Sequence, residues 1–404
     1  MSSLPPASES PADTPRPRIL HCVSHLALGG AERVALTLIG ALRNDFDFGV
    51  CAIRGIGDGD TGRALAAELR AAGVPLIAGP RIPMRFGGML TGAVTIARAT
   101  RAFRPDAIHL HTEIPEASYA ALLAARPHFS NTPAIRTIHN AVFWAFWPAL
   151  GRWVDRRLAA AFCAGVSAGS ADAAMQLRAR SGCRPFPEPP VVIYNGVPTP
   201  RTRRAPEPTR PTTAPLRLVF GGRLEDQKGA DLLPAIVRQT RLPAGRRVHL
   251  SIFGSGRHAR LLQALTQTPP PGWSIELHPP SPDFRQKLPD FDLLLMPSRF
   301  EGLPLVAIEA ALAELPIVAT TAPGSVEALP PDYPWLARVG DAADFAAKLT
   351  DALASRAQRQ TLAAQNRVFA EQRFALDLMA DAYRRLYRRV LPGQPHTVLA
   401  ASKS

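Results

Sequence analysis

Pro297-Ser298-Arg299-Phe300-Glu301-Gly302-Leu303-Pro304-Leu305-Val306-Ala307-Ile308-Glu309-Ala310 follows an apolar run, Phe291 to Met296, that reads as a buried strand bounded by Pro and Ser. The chain turns through Gly302 and enters a helix with Pro304 near its first position, where a missing N–H leaves nothing unmet. The free N–H groups of that first turn make an anion site at the carboxyl end of a parallel strand. Two carboxylates flank that site, Glu301 before the helix and Glu309 inside it. Carboxylates accept hydrogen bonds from hydroxyls. The layout therefore suits a diphosphate held between two polyhydroxylated rings, the outline of a nucleotide-sugar.

Upstream, Gly221-Gly222-Arg223-Leu224-Glu225-Asp226-Gln227-Lys228-Gly229 sits where another apolar strand ends. Glycine lets backbone approach a ligand closely. Arg223 and Lys228 can both reach one diphosphate, the arginine as a fork and the lysine as a point charge. A turn carrying two solvated cations is the plain alternative, and it loses ground once the Glu301/Glu309 element stands beside it. His25-Leu26-Ala27-Leu28-Gly29-Gly30-Ala31-Glu32-Arg33 places two glycines directly before a helix, either a second phosphate cradle or a turn. Gly254-Ser255-Gly256-Arg257 is a further strand end that borders a ligand or makes a tight connection.

From Arg18 onward, short apolar runs alternate with longer amphipathic ones. Strands are expected at Ile19–Ser24, Gly49–Ile53, Val74–Ala78, Asp106–His111, Ala134–His139, Phe162–Val166 and Val191–Tyr194, with a helix over Ala31–Leu42. A second series covers Leu216–Phe220, Val248–Phe253, Ser274–His278, Phe291–Met296 and Leu315–Ala319. Strands separated by helices imply βαβ units and parallel sheets. The Pro- and Arg-rich stretch Thr199–Pro215 reads as a linker. The expected organisation is a disordered tail over 1–17, one doubly wound domain over 18–198, the linker over 199–215 and a second domain over 216–373. A returning helix at about 374–390 and a disordered tail over 391–404 complete it.

Taken in order, Gly29-Gly30-Ala31-Glu32-Arg33, Tyr194-Asn195-Gly196-Val197, Gly222-Arg223-Leu224 to Lys228-Gly229, Gly254-Ser255-Gly256, the Glu301/Glu309 pair and Leu315-Pro316-Ile317-Val318-Ala319-Thr320 resemble family 4 retaining glycosyltransferases. The resemblance covers about residues 18–390. It implies the GT-B fold, an α/β architecture of two Rossmann-like doubly wound parallel-sheet domains facing across a cleft. The first domain would take the acceptor and the second the nucleotide-sugar donor.

The resemblance also implies roles. Arg223 and Lys228 would neutralise the donor diphosphate, and Glu309 would bind the ribose. Glu301 and the backbone of Gly302, Leu303, Pro304 and Leu305 would hold the transferred sugar. Gly222, Gly254 and Gly256 would line the donor, and the Gly29–Gly30 loop would close over the diphosphate. His139, in Thr137-Ile138-His139-Asn140, resembles the family histidine near the reacting centre; a strand-end histidine bonded to backbone is the plain alternative. The helix Phe374–Val390 resembles the family's C-terminal helix that crosses back to the first domain.

No cofactor is implied beyond a UDP- or GDP-linked co-substrate, and no metal, since two cations already meet the diphosphate. The acceptor would be a glycan or lipid-linked hydroxyl in bacterial surface polysaccharide or lipopolysaccharide synthesis. The alternatives are another GT-B enzyme such as a nucleotide-sugar epimerase, or a non-catalytic nucleotide-binding protein. The latter is disfavoured because Arg223, Lys228 and Glu301 are all present. Two departures from the family pattern stand out. Arg257 occupies a place where Pro is common, and His278-Pro279-Pro280 replaces the usual Gly, which leaves the choice of base open.

Composition is consistent with this reading. At 404 residues the chain can bury two cores. Its net charge of +14 is spread over both halves; residues 1–200 hold 20 Arg, no Lys and 14 acids. Such a surface favours anionic partners, nucleic acid or the acidic face of a membrane. With no zinc-finger, RNA-recognition or helix-turn-helix pattern, nucleic acid is the weaker candidate. No apolar run is long enough to span a bilayer. Four scattered cysteines, Cys22, Cys51, Cys163 and Cys183, read as buried free thiols of a reducing cytoplasm.

Three further features invite other readings. Ala141–Leu158 mixes Phe143, Trp144, Trp147 and Trp153 with Arg152, Arg156 and Arg157, which suits docking on the inner face of an anionic membrane or a core helix with a basic face. Asp58-Gly59-Asp60 is Asp-x-Asp-like but lies in a Gly-rich loop, and reads as a solvated turn. His109 and His111 share one strand face and could mimic a metal pair, but no carboxylate completes it, so structural roles are expected.

Overall fold

The computed structural model describes residues 15–26, 30–57, 60–82, 88–112, 125–129, 132–139, 153, 162–167, 191–199, 214–281 and 283–391. The chain divides into two compact units, one of Ser2–Gly196 with Leu376–Ser404 and one of Val197–Ala375.

The first unit holds a parallel sheet of β1 (Arg18–Val23), β2 (Asp47–Ala52), β3 (Leu76–Ala78), β4 (Ala107–Thr112), β5 (Ala134–Ile138), β6 (Phe162–Ser167) and β7 (Val191–Val192) in the order β3-β2-β1-β4-β5-β6-β7. Helices α1 (Gly30–Leu42), α2 (Asp60–Ala71) and α3 (Gly88–Phe103) connect its first four strands. The strands read as near-continuous apolar runs because both faces of a parallel sheet are covered. Leu20, Cys22, Cys51, Ile53, Ile108 and Leu110 pack with Ile96, Ala99 and Phe103 of α3 on one face. Cys22 and Cys51 are register partners and free thiols, and their mutual contact together with burial pushes the Cys22 thiol up.

The opposite face carries His21, His109, His111 and Thr137, all buried. The chain's last helix, numbered below as α11 (Leu376–Val390), belongs to this unit. Met379, Ala380, Tyr383, Leu386 and Tyr387 follow the three-to-four spacing of an apolar helix face and are buried. Arg384 and Arg388 on the same helix reach the two oxygens of Asp45 at 3.0 Å each.

The second unit repeats the plan with β8 (Leu216–Gly221), β9 (Val248–Phe253), β10 (Trp273–His278), β11 (Leu293–Met296), β12 (Ile317–Thr320) and β13 (Leu336–Ala337), ordered β10-β9-β8-β11-β12-β13. Its helices are α4 (Leu233–Gln239), α5 (Ala259–Gln267), α6 (Phe284–Lys287), α7 (Leu305–Leu312), α8 (Pro323–Glu327), α9 (Ala342–Ala354) and α10 (Arg356–Phe374). Asp341 caps α9 by accepting from the N–H groups of Ala343 and Asp344 at 3.0 and 2.9 Å. Val197 N donates to Phe374 O at 2.9 Å, so the two points where the chain enters and leaves this unit are neighbours.

Both sheets have the doubly wound order expected from the alternating pattern. Two details differ. Strand β13 is two residues long, too short to show a period. Pro304 is the N-cap of α7 and has extended backbone (φ −72°, ψ 108°), one residue ahead of the expected place, so its ring fixes the approach to the helix and not its first turn. No helix among the described residues is long and apolar enough to cross a membrane.

Candidate functional site

In a doubly wound sheet, ligands bind beyond the carboxyl ends of the strands where the strand order reverses. In the second unit that point lies between β8 and β11. The loop after β8 carries Arg223 and Lys228; the loop after β11 carries Glu301. The structure joins them. Lys228 Nζ lies 2.7 and 2.8 Å from the two carboxylate oxygens of Glu301, and Ser298 Oγ donates to Oε1 of the same carboxylate at 2.6 Å. Glu301 is buried, with its side chain 5% exposed against 19% for Lys228. A part-buried cation held against one carboxylate at a switch point is placed to meet an anion. Arg223 is exposed and donates to Gln227 Oε1.

The loops are braced by a residue that sequence reasoning passed over. Arg299 grips Asp231 with two parallel bonds of 2.6 and 2.7 Å and donates to Asp226 O at 2.7 Å. The guanidinium holds the Asp231 carboxyl below its usual range. Only the adjacency of Arg299 to Glu301 pointed to it; Asp231 is 68 residues away in sequence. Arg257 does similar work from the next loop, with its N–H and Nε each 3.1 Å from Glu225 and an ion pair to Asp226. The departure from Pro at this position thus ties the β9 loop to the β8 loop. His278 lies parallel to the Phe253 ring, 4.6 Å away.

Two glycines permit this convergence. Gly229 has φ +66°, and a Cβ there would stand 2.0 Å from Pro297 O. A Cβ on Gly254 would stand 2.0 Å from Gly222 O, so the β9 loop can touch the β8 loop only through glycine. Gly229→Ala combines left-handed backbone with a collision against main chain and should cost the second unit at least about 2 kcal/mol. Urea unfolding of the full chain checks this; an unchanged midpoint would show that the loop relaxes freely.

At the start of α7, Ala307 N donates to Pro304 O at 3.0 Å, while the N–H groups of Leu305 and Val306 find no acceptor among the described residues. Glu309, one turn in, is buried. Gly302 and Leu303 are buried ahead of the helix, and Gly256 lies beside Leu224, whose N–H donates to Ser255 O at 2.8 Å. The structure thus assembles Gly222, Arg223, Lys228, Gly254, Gly256, Glu301, Gly302, Leu303, Pro304, Leu305 and Glu309 from the ends of β8, β9 and β11.

In the first unit, α1 begins at Gly30, and Gly29 lies outside the described residues. So do Asp58 and the 141–158 segment, apart from Trp153, which is exposed. His139 follows β5 and is half-buried. Its Nε2 lies 3.1 Å from His111 Nδ1. His111 Nε2 lies 2.9 Å from His21 Nδ1, and His21 Nε2 lies 3.3 Å from the Tyr387 hydroxyl. That hydroxyl is 2.7 Å from His109 Nδ1; His109 Nε2 is 2.7 Å from Thr137 Oγ1, which is 3.0 Å from the Tyr383 hydroxyl.

Burial pushes His21 down to about 3. It likewise holds His109 and His111 well below the usual range, each helped by neighbouring histidines. His21, His109 and His111 approach closely enough to ligate an ion. Their six ring nitrogens, however, are all engaged with one another, with His139 or with hydroxyls, so the cluster is built as hydrogen bonds between neutral rings.

Comparison with known proteins places these features. The family Glycosyltransferase Family 4 matches residues 28–201, and Glycosyl transferases group 1 matches residues 215–355. WcaL of Escherichia coli (strain K12), assigned to colanic acid biosynthesis as a glycosyltransferase, is 29% identical over 157 residues, 37% of this chain and 38% of WcaL. Glycogen synthase of Mycobacterium tuberculosis (strain CDC 1551 / Oshkosh) is 28% identical over 234 residues, 57% of this chain and 55% of the synthase. The chain thus spans about half the length, or less, of these relatives. Among solved structures, Anabaena Alr3699/HepE in complex with UDP and glucose superposes with a TM-score of 0.72 at 18% identity, covering 92% of this chain and 99% of HepE. That likeness is one of fold, the GT-B fold.

Proposed function

The chain belongs to glycosyltransferase family 4, and from that premise we propose that it moves a sugar from a nucleotide-sugar donor to an acceptor hydroxyl with retention of configuration. One observation carries the proposal: the Lys228–Glu301 pair, closed by Ser298, at the switch point of the second sheet. Negative charge develops on the leaving diphosphate as the glycosidic bond breaks. Lys228, Arg223 and the open N–H groups of α7 stabilise that charge in a preorganised setting. Glu301 holds Lys228 in place and accepts from hydroxyls of the transferred sugar, while Glu309 takes the ribose. The leaving phosphate itself receives the acceptor proton, so the protein need not supply a base.

HepE was solved with UDP and glucose, which favours a UDP-sugar donor here. The colanic acid assignment of WcaL favours an acceptor on a growing surface polysaccharide, at the inner face of the cytoplasmic membrane. The match to glycogen synthase supports a second reading, an acceptor that is a free glucan.

A thermal-shift screen of UDP-, GDP- and ADP-sugars tests the donor. A ligand at a hundred times its Kd stabilises the folded state by about 2.7 kcal/mol, a rise of several degrees in Tm. The expected result is a shift with a UDP-sugar and a smaller one with the others; no shift with any of the three would overturn the donor assignment. Product analysis by NMR tests retention, and an inverted anomeric centre would defeat it.

A further inference from the structure

We propose that Thr320, at the end of β12, positions the Glu301 carboxylate by fixing the main chain of Ser298. The proposal rests on the reading above only for the claim that Glu301 meets the transferred sugar. The positioning itself rests on geometry within the second unit.

Thr320 closes the stretch Leu315–Thr320, to which the sequence alone attaches no chemistry. Strands β11 and β12 pair in parallel with Met296 opposite Ala319. Thr320, the next residue, therefore lies beside the chain as it leaves β11 for the loop that carries Glu301. Its hydroxyl donates to Ser298 O. Ser298 Oγ in turn donates to Glu301 Oε1 at 2.6 Å. Lys228 Nζ lies 2.7 Å from that same oxygen and 2.8 Å from Oε2. Thr320 and Ser298 are each 1% exposed, so both hydroxyl bonds form away from solvent. Their directions leave no choice, because a carbonyl oxygen and an ionised carboxylate only accept.

The bonds on Glu301 do different things. Lysine is a compact charge on a flexible stem. It stands almost equally far from the two oxygens, so it draws the carboxylate in without telling them apart. The last torsion of a glutamate is broad and roughly two-fold. The Ser298 bond is made to Oε1 alone, and it fixes the plane that the lysine leaves free. A serine hydroxyl reaches a given point only from a given backbone position, through one of three rotamers. Thr320 holds that backbone where the reach succeeds.

The loop after β12 meets the Glu301 loop at a second place. A Cβ on Gly324 would stand 2.3 Å from Gly302 O and 2.8 Å from Glu301 O, so the two main chains are in direct contact there. One contact is a hydrogen bond and the other is packing, and both bear on the residues that frame the carboxylate. A sugar hydroxyl that donates to Glu301 needs an aimed oxygen, and small misplacements of such groups are costly in rate. Thr320 and Ser298 are positioning residues in this account and act through Glu301.

Lysine NMR of the full chain decides the positioning without turnover. The lysines are Lys228, Lys287, Lys348 and Lys403, and with carbon-13 and nitrogen-15 labels the Lys228 signal is the one lost in Lys228→Met. Thr320→Val keeps the side-chain shape and removes the hydroxyl, while Thr320→Ser keeps the hydroxyl; Thr320→Ala replaces the valine variant if that one does not fold. The expected result is a Lys228 signal displaced in Thr320→Val in the same direction as in Ser298→Ala, and unmoved in Thr320→Ser. An unmoved signal in folded Thr320→Val, or an equal displacement in Thr320→Ser, would overturn the proposal.

Release of UDP from UDP-glucose reads the consequence. Thr320→Val should lower kcat about tenfold, inside the range that a small misplacement costs, with KM near that of the parent and with Thr320→Ser restoring the rate. In a Ser298→Ala background the link to Glu301 is already cut, and Thr320→Val should then change kcat by less than about twofold. The same loss in both backgrounds would show that Thr320 acts by a route other than Glu301, and the proposal would fall. A displaced Lys228 signal beside an unchanged kcat would leave the positioning standing and remove Glu301 from the proposed site.

Discussion

Lys228→Met should lower turnover at least about a hundredfold, the scale of losing one preorganised charge at a developing oxyanion. The change alone is ambiguous, because it also strands Glu301. That carboxylate is 5% exposed, and removing the partner of a buried charge costs about 3–5 kcal/mol for a fully buried pair; with Lys228 19% exposed, solvent screening makes the cost here smaller. A loss of activity could therefore reflect a collapsed loop. The double variant Lys228→Met with Glu301→Gln separates the two. It removes both charges together, and Gln still bonds Ser298, so stability should recover toward that of the parent. Turnover should not recover, since the cation that met the diphosphate is still missing. Urea unfolding beside steady-state kinetics on the same four proteins of the cycle reads both. Recovery of activity in the double variant would show Lys228 to be merely the counterion of Glu301. Arg223→Ala gives a useful contrast: the side chain is exposed, so its removal should leave stability nearly unchanged and reach turnover alone.

The parts of this site that were legible in sequence share one property: their chemistry is local. A glycine turn, two cations five residues apart and two carboxylates around a helix start can be recognised without knowing what packs where. The strand order was legible for a similar reason, because alternation of short apolar runs with amphipathic ones leaves a parallel doubly wound sheet as the economical arrangement. What stayed hidden depends on register between distant strands. His21 and His109 are partners only because β1 and β4 pair with that register, and His111 meets Thr137 across β4 and β5 in the same way. Tyr383 and Tyr387 joined them from the far end of the chain. The pair His109/His111 did show in sequence as a one-face doublet, but its meaning lay in four residues that no spacing rule connects. Arg299 and Asp231 were hidden for the same reason, since an ion pair between loops leaves no periodic trace. The closing role of the N-terminal glycine loop is an expectation drawn from resemblance, and the docking role of the Trp/Arg segment one drawn from its aromatic and arginine content.

Acidification should unfold the first unit in a window set by its buried histidines. His21, His109 and His111 are fully buried and held neutral, His21 down to about 3 and the others well below the usual range. In the unfolded chain each takes up a proton near pH 6.5. The unfolded state therefore binds more protons than the native state at every pH from about 6.5 down toward 3, and stability falls as pH falls. Above pH 6.5 both states hold neutral rings and the contribution is complete. At pH 5 each histidine has cost about 2 kcal/mol, and the three together about 6 kcal/mol. Domains of this size are stable by about 5–15 kcal/mol, so the loss is a large part of the total. Solvated carboxylates titrate near pH 4, so measurements kept at pH 5.0 and above read the histidines without them. Urea titrations of the full chain at pH 7.5, 6.5, 5.5 and 5.0, with far-UV circular dichroism and tryptophan fluorescence followed separately, should show one transition weakening steeply below pH 6.5. His111→Gln removes one titrating ring without adding charge, and should reduce the slope by about a third of its value, about 1.4 kcal/mol per pH unit. A first unit equally stable at pH 7.5 and 5.0 would mean that these rings take up protons in the native state.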